Sequence, residues 1–195
     1  MPGKGPLLGP FPHGADPEAY DRLRRRVLWS LPMGLYLLGT CSGGEANLMT
    51  LNWAMQVSTA PKQVAVSVEQ SAVTHRLVGE GRCFALSILG REQRAVVRKF
   101  VKPAAYDPRA RTLNGFAYAT RVTGAPIASV AEAFLDCEVR SSLDAGSHTL
   151  FVGEVVDAGF GPTGGPGGDT GSVFAEETLA FEPLRMEDTR MSYGG

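Results

Sequence analysis

Histidine and cysteine are scarce in this chain, three of each in 195 residues, and that scarcity removes most metal chemistry at once. His13, His75 and His148 are widely separated, and no His-x-x-x-His or His-Glu pair would set two ligands on one helix face. No metal centre is expected. Cys41, Cys83 and Cys137 are odd in number and form no Cys-x-x-Cys pair, and Cys83 and Cys137 sit among apolar residues. A disulfide framework is thereby excluded, and a reducing, cytoplasmic setting is expected. No apolar run approaches a membrane span, and residues 1–14 lack the apolar core of a secretion signal. With 19 Lys and Arg against 20 Asp and Glu, a net charge of −1 offers no basic field, so neither nucleic acid nor membrane is expected as a partner.

The nucleotide and nucleophile motifs are missing too. There is no Gly-x-Gly-x-x-Gly after a strand, no Gly-x-x-x-x-Gly-Lys and no Gly-x-Ser-x-Gly elbow. The Gly-Pro run from Gly161 to Gly168 is no dinucleotide fingerprint, because its prolines forbid the turn and no helix pattern follows. Hydrolytic triads fail for want of a placed base. What remains is chemistry built from hydroxyls, amides and backbone.

The length fits one domain, which buries roughly 70% of its unfolded surface. Residues 1–14 alternate Gly and Pro and read as a flexible arm, either a free tail or an arm laid on a partner subunit, with a single domain over 15–195. Asp16 reads as an N-cap with Pro17 at the first helical position. Tyr20, Leu23, Val27 and Leu31 then recur at helical spacing until Pro32, with an arginine run on the other faces. Strand patterns follow at Gly34–Thr40, at Asn47–Ser58 as one strand, and at Val64–Val68, whose valines share one face. Ser71–Gly81 reads as a short helix with Val73 and Leu77 inward, Arg82–Leu89 as a strand, and Arg91–Val101 as a second helix. Residues 102–127, broken by Pro103, Pro108, Asn114-Gly115 and Pro126, read as a long loop suited to lid a pocket, with one strand piece near Phe116–Ala119. Ala133–Leu143 and Thr149–Phe160 form the clearest hairpin, its first strand alternating as a barrel wall with one wet side does. Residues 159–177 read as a surface excursion, Thr178–Phe181 as a last strand and residues 182–195 as a C-terminal tail. The fold expected is mainly β with short helices, a small antiparallel barrel.

A phosphorylated aromatic cofactor needs N–H donors and hydroxyls at a helix mouth, and an amphipathic strand edge for its ring. Gln70, Ser71 and Thr74 supply the first; Asn52, Trp53, Ala54, Met55 and Gln56 supply the second. The plainer alternatives stand beside these. Ser71 and Thr74 also suit a helix cap and a helix-surface position, and Trp53 also suits a core.

The order Asn47-Leu-Met-Thr50, Val57-Ser58 before a proline, an alternating strand into Ser71-x-x-Thr74-His75, Phe84–Leu89, Gly124-Ala-Pro126, and Gly146-Ser-His148 leading into Phe151-Val-Gly-Glu154 resembles the flavin reductase family. That family has the FMN-binding split β-barrel fold, antiparallel and Greek-key-like. The closing Asp188-Thr189-x-x-x-Tyr193-Gly-Gly resembles a subgroup of small bacterial flavoproteins. The resemblance implies a homodimer with FMN or FAD at the interface and NAD(P)H as hydride donor. It implies a flavin site along Thr50, Asn52, Trp53, Ala54, Met55, Gln56 and Ser58, with Ser67 and Glu69 lining the approach. Ser71, Thr74 and His75 would lie on the phosphate, and His148 near the nicotinamide as the catalytic residue. Reduced flavin would pass to a monooxygenase or another acceptor. The chain departs from the family at Ser87, at Gln70 where a basic residue precedes the phosphate hydroxyls, and at Ser147. Arg98, Arg76 and Lys99 are therefore candidates for the missing counter-charge, Arg98 first. Two other readings remain open: an electron carrier that holds its flavin tightly with little nicotinamide activity, and a barrel used only for protein association.

Overall fold

The computed structural model describes residues 9–160, 181–189 and 191. The hairpin seen in the sequence forms its spine: β10 (Ala133–Asp144) and β11 (His148–Phe160) pair antiparallel around a turn in which Asp144 Oδ1 accepts the Gly146 N–H at 2.8 Å. Around it lie β1 (Tyr36–Ser42), β2 (Glu45–Leu51), β3 (Ala54–Thr59), β4 (Lys62–Glu69) and β5 (Cys83–Ile88). The seven strands run in the order β2-β1-β5-β10-β11-β4-β3, antiparallel throughout.

The ends of that order, β2 and β3, are consecutive in the chain. The sequence led us to expect one strand over Asn47–Ser58; instead Asn52 and Trp53 leave the ladder and carry the chain from one end of the sheet to the other. The barrel is thus closed by a covalent crossing between two unpaired strands, which is what splits it. Both crossing residues are held: Asn52 Nδ2 donates to Met33 Sδ at 3.4 Å, and Trp53 O accepts the Ser67 N–H at 3.0 Å.

Leu38, Val64, Val66, Val68, Phe84, Leu86, Cys137, Val139 and Phe151 fill the barrel. Burial of such a cluster supplies about 1.5–3 kcal/mol per large apolar side chain. A second core lies outside β1 and β2. There Leu35, Leu37 and Leu48 pack on Val97, Phe100, Leu113 and Leu184, so β1 is apolar on both faces.

Helix α1 (Pro17–Leu28) starts where the sequence puts it, with Asp16 Oδ1 accepting the Ala19 N–H at 2.7 Å, but it ends short of Pro32 and buries no residue. Residues 9–14 of the arm fold back on it, Phe11 meeting Tyr20 edge-on at 6.3 Å and lying under Arg24. Helix α2 (Val73–Gly81) is capped by Ala72, not Ser71, and turns Thr74, Leu77 and Val78 inward while Val73 is exposed.

Two elements differ in kind from the reading above. Arg91–Val101 is no α-helix but two 3-10 turns, Arg91–Gln93 and Val97–Phe100. The tighter winding eclipses positions three apart and so sends both Val97 and Phe100 into the second core. Residues 102–127 are no lid. They form β6 (Tyr106–Asp107), β7 (Thr112–Leu113) and β8 (Phe116–Thr120), and with β9 (Pro126–Ala128) they make a second, four-stranded sheet. Asn114 and Gly115 at positive φ supply the β7–β8 turn. Nor does β10 have a wet side at its start, since Phe134 and Asp136 are buried beneath residues 121–127.

The excursion begins only after Phe160, as Gly159 and Phe160 still belong to β11; residues 161–177, and 178–180 of the expected last strand, lie outside the described residues. Of the tail, residues 182–189 dock on the barrel: Leu184 bridges Leu35 and Leu89 through its backbone, and Arg91 pairs with Glu182 and Asp188. Residues 190 and 192–195, which carry the Tyr-Gly-Gly ending, lie outside the described residues. Among the described residues no helix is long and apolar enough to cross a membrane.

Candidate functional site

A cleft of about 910 Å³ opens where the chain crosses between β2 and β3. Its floor is Asn52, Trp53, Ala54 and Met55, with Ala65 and Ser67 of β4 beside them. One wall is Ser147, His148 and Leu150 at the start of β11. The other is Leu28, Trp29, Leu31, Pro32, Met33 and Gly34, leading from α1 into Tyr36. Among the described residues none that lines it is Lys, Arg, Asp or Glu. A second opening of about 300 Å³ adjoins it, sharing Tyr36, Ala54 and Met55 and adding Gln56, Lys62 and Leu135.

Antiparallel pairing builds the polar edge of the cleft. The register sets His148 opposite Glu69 and Leu150 opposite Ser67, so the β4 end and the β10–β11 turn share one rim. His148 meets the Trp53 ring edge-on at 4.8 Å, and its Nδ1 shares a 2.8 Å hydrogen bond with Ser147 Oγ, which leaves Nε2 for a ligand. Ser147, where a departure from the resembled family was expected, thus orients the ring by its hydroxyl. Burial pushes the Tyr36 phenol up from its ordinary value, so it stays a neutral hydrogen-bonding group.

Of the site residues expected from the sequence, the structure brings Asn52, Trp53, Ala54, Met55, Ser67 and His148 into this cleft and Gln56 into the adjoining opening. Glu69 and Ser71 stand exposed just beyond the rim, Ser71 Oγ donating to Glu69 Oε1 at 3.0 Å. His75 is half-buried, sharing a 2.8 Å hydrogen bond with Thr149 Oγ1 and packing on Phe151. Ser58 is half-buried on β3 and lines neither opening.

Three residues are placed elsewhere. Thr50 is buried in the second core, donating to Val97 O, because it faces the 3-10 turns and not the barrel mouth. Thr74 is 1% exposed, its Oγ1 accepting from Asn47 Nδ2 at 2.8 Å, so its hydroxyl is occupied inside the fold. Arg98 donates to Thr189 O at 2.6 Å and lines a separate polar hollow with Arg94 and Asp188, sharing no residue with the cleft. Another candidate cation, Arg76 of α2, is held by Glu45 at 2.6 Å and Glu80 at 3.0 Å.

The wall from Leu28 to Gly34, Tyr36 and Leu150 went unread in the sequence. A signal was there, since Leu28-Trp29-Ser30-Leu31-Pro32-Met33 continues apolar past the point where the helix ends.

The fit to an isoalloxazine ring is good on these observations. The volume falls in the range of cofactor clefts, its wall is apolar with an aromatic ring, and its polar groups are few and lie on one rim. The phosphate half fits less completely: α2 begins at Ala72 without a side-chain cap, leaving N–H donors at its mouth, but brings no unpaired cation with it.

Comparison with known proteins agrees with this reading. The chain is 32% identical over 158 residues to an NADH-dependent FAD reductase of Streptomyces globisporus, covering 78% of this chain and 83% of that one. Its fold matches the solved NADH:FAD oxidoreductase of Streptomyces globisporus C-1027 with a TM-score of 0.68 at 26% identity, covering 97% and 96% of the two chains. It matches the flavin reductase component of a bacterial two-component tryptophan halogenase with a TM-score of 0.62 at 30% identity, covering 72% and 87%. Residues 28–178 match the family described as the flavin reductase like domain, and with a cleft suited to a flavin at the seam of a split barrel, the chain belongs to that family.

Proposed function

We propose that this protein is an NAD(P)H-dependent flavin reductase that moves a hydride from a nicotinamide to FMN or FAD. The observation that carries the reading is the cleft at the β2–β3 crossing, where Trp53 and His148 meet edge-on above an apolar floor. The flavin supplies the two-electron chemistry when bound; the protein supplies position and exclusion of water.

In this reading Asn52 and Ser67 address the polar edge of the ring, and Trp53, Ala54 and Met55 support its plane. His148, its ring set by Ser147 and Trp53, orients the nicotinamide through Nε2. Ser71 and the uncapped N–H groups of Val73 and Thr74 receive the phosphate, so Thr74 acts through its backbone and not its hydroxyl.

A homodimer completes the site. Among the described residues helix α1 has no buried side chain and exposes Leu23, Val27 and Leu28, followed by exposed Trp29 and Leu31; Leu28, Trp29 and Leu31 also line the cleft. A contiguous apolar face at the edge of a ligand cleft is what a second copy would cover. Reduced flavin then leaves for a separate acceptor, a monooxygenase or halogenase component. The cytoplasm, where NAD(P)H is plentiful, is its setting.

The test is steady-state oxidation of NADH and of NADPH with added FMN or FAD, on the purified protein and on Trp53→Ala. Turnover with at least one pair, and an apparent flavin affinity at least tenfold weaker in Trp53→Ala, supports the assignment. No turnover with any of the four pairs refutes it.

A further inference from the structure

Outside the cleft, the most reactive arrangement on the molecule is a pair of thiols. The β1–β5 register runs Tyr36↔Ile88, Leu37↔Ser87, Leu38↔Leu86 and Gly39↔Ala85, and two steps further it sets Cys41 opposite Cys83. Their sulfurs lie 4.0 Å apart. Directly opposed residues of an antiparallel pair have Cβ atoms about 4.5–5.5 Å apart, at or beyond the upper end of what a disulfide spans, so the bond needs a small inward shift of the two strands. The regular β1–β5 pairing stops at Gly39↔Ala85, so no ladder between the two strands fixes this pair, while each cysteine stays paired on its other side, Cys41 with Ala46 of β2 and Cys83 with Glu138 of β10.

We propose that Cys41 and Cys83 are an oxidation site that hydrogen peroxide converts to a reversible cross-strand disulfide. Peroxide is the product when reduced flavin meets dioxygen, and the proposal rests on the flavin reductase reading only for that source.

The surroundings assign the two sulfurs different tasks. The Cys83 thiol is drawn down to about 7, first by its hydrogen bond with Cys41 and further by the Thr123 hydroxyl, against the opposing effects of burial and of Asp136. The Cys41 thiol is pushed up by the same hydrogen bond and by burial. Cys83 is therefore the attacking thiolate and Cys41 the resolving thiol. The Cys83 thiolate displaces hydroxide from peroxide and becomes the sulfenic acid. Cys41 then attacks that sulfur, the S–S bond forms, and the sulfenic oxygen leaves as water with the Cys41 proton. The proton lost earlier by Cys83 converts the hydroxide to water. Two thiols and one peroxide give one disulfide and two waters. Cys137 is the internal control, buried within the barrel and pushed up to about 12 by that burial.

The test is a count of free thiols in denaturant after brief treatment of the whole protein with hydrogen peroxide, with peptide mapping. The expected result is a fall from the three free cysteines to one, with Cys41 and Cys83 in a single linked peptide that dithiothreitol releases. Cys41→Ser should leave Cys83 as a sulfenic acid trapped by dimedone. Cys83→Ser should slow oxidation of Cys41 by about tenfold near neutral pH, because an ordinary thiol is then only a few per cent ionised. Three thiols surviving treatment, or oxidation of Cys41 with no linked peptide, would overturn the proposal. Both readouts use added peroxide and no flavin, so they stand or fall apart from flavin reductase activity.

Discussion

Thr74→Val separates a structural hydroxyl from a ligand-binding one. The sequence motif sets Thr74 on the cofactor phosphate, whereas the structure buries its Oγ1 as the acceptor of Asn47 Nδ2 at 2.8 Å. Valine keeps the shape and the β-branch, so packing and helix propensity barely change. What is lost is one buried acceptor, and the Asn47 amide is left with a donor that has no partner. Asn47 cannot turn away to find one, because its Oδ1 accepts the Ala104 N–H at 2.8 Å and fixes the amide. Leaving a buried donor unsatisfied costs about 1–3 kcal/mol. At about 2–4 °C per kcal/mol for a chain this long, the melting temperature should fall by roughly 2–12 °C.

The assay is thermal unfolding of the flavin-free protein at one fixed concentration, beside a flavin titration well below the new midpoint. A lowered midpoint with FMN and FAD affinities within threefold of the parent is expected. An unchanged midpoint with affinity at least tenfold weaker would refute the reasoning and return the hydroxyl to the phosphate.

The remaining predictions concern other parts of the fold. Gly153→Ala would set a Cβ 2.6 Å from Phe84 and 2.9 Å from Cys137, in the full barrel core, and should cost about 1–3 kcal/mol; a urea unfolding cycle with Phe84→Leu should recover part of that loss. Asp188 is held below its ordinary 3.8, first by the Arg185 N–H and then by Arg91, so it stabilises the fold above about pH 4 and loses that contribution as pH falls through its lowered value. Asp188→Asn should therefore be less stable at neutral pH and show a flatter acid limb, and an unchanged acid limb would count against the docked tail. Val27→Glu, on the apolar face of α1 proposed as the homodimer interface, should give a monomer in sedimentation velocity where the parent is a dimer, and weaken flavin binding; an unaltered mass would remove α1 from the interface.

The elements legible in the sequence were those with a strong period or a turn of fixed chemistry. The β10–β11 hairpin was found nearly to the residue, since strands of twelve and thirteen residues flank a Gly-containing turn. The helix start at Asp16-Pro17 was legible for the same reason, a local hydrogen bond with a local signature. The second sheet was not, because β6 and β7 have two residues each, too few to show a period, and exist only through the partners they meet. The break at Asn52-Trp53 was hidden by alternation that continues across it. Only the need to close a barrel decides that the chain crosses there.

The site divides along the same line. Asn52, Trp53, Ala54, Met55 and Ser67 could be read forward as neighbours, because β3 pairs with β4 from the crossing onward and the Trp53 carbonyl accepts the Ser67 N–H. Thr74 and Arg98 could not, because a hydroxyl or guanidinium in a sequence does not say whether another buried group has already engaged it. Here Asn47 and the Thr189 carbonyl had. That leaves an electrostatic consequence. A flavin phosphate at the mouth of α2 would meet N–H donors and Ser71, whose hydroxyl would leave Glu69 for it, while Arg76 is committed to Glu45 and Glu80 and no cation among the described residues lines the cleft. Such a site holds its anion by hydrogen bonds and a helix end, which favours modest affinity over permanent retention, and modest affinity is what a reductase that releases its reduced flavin requires.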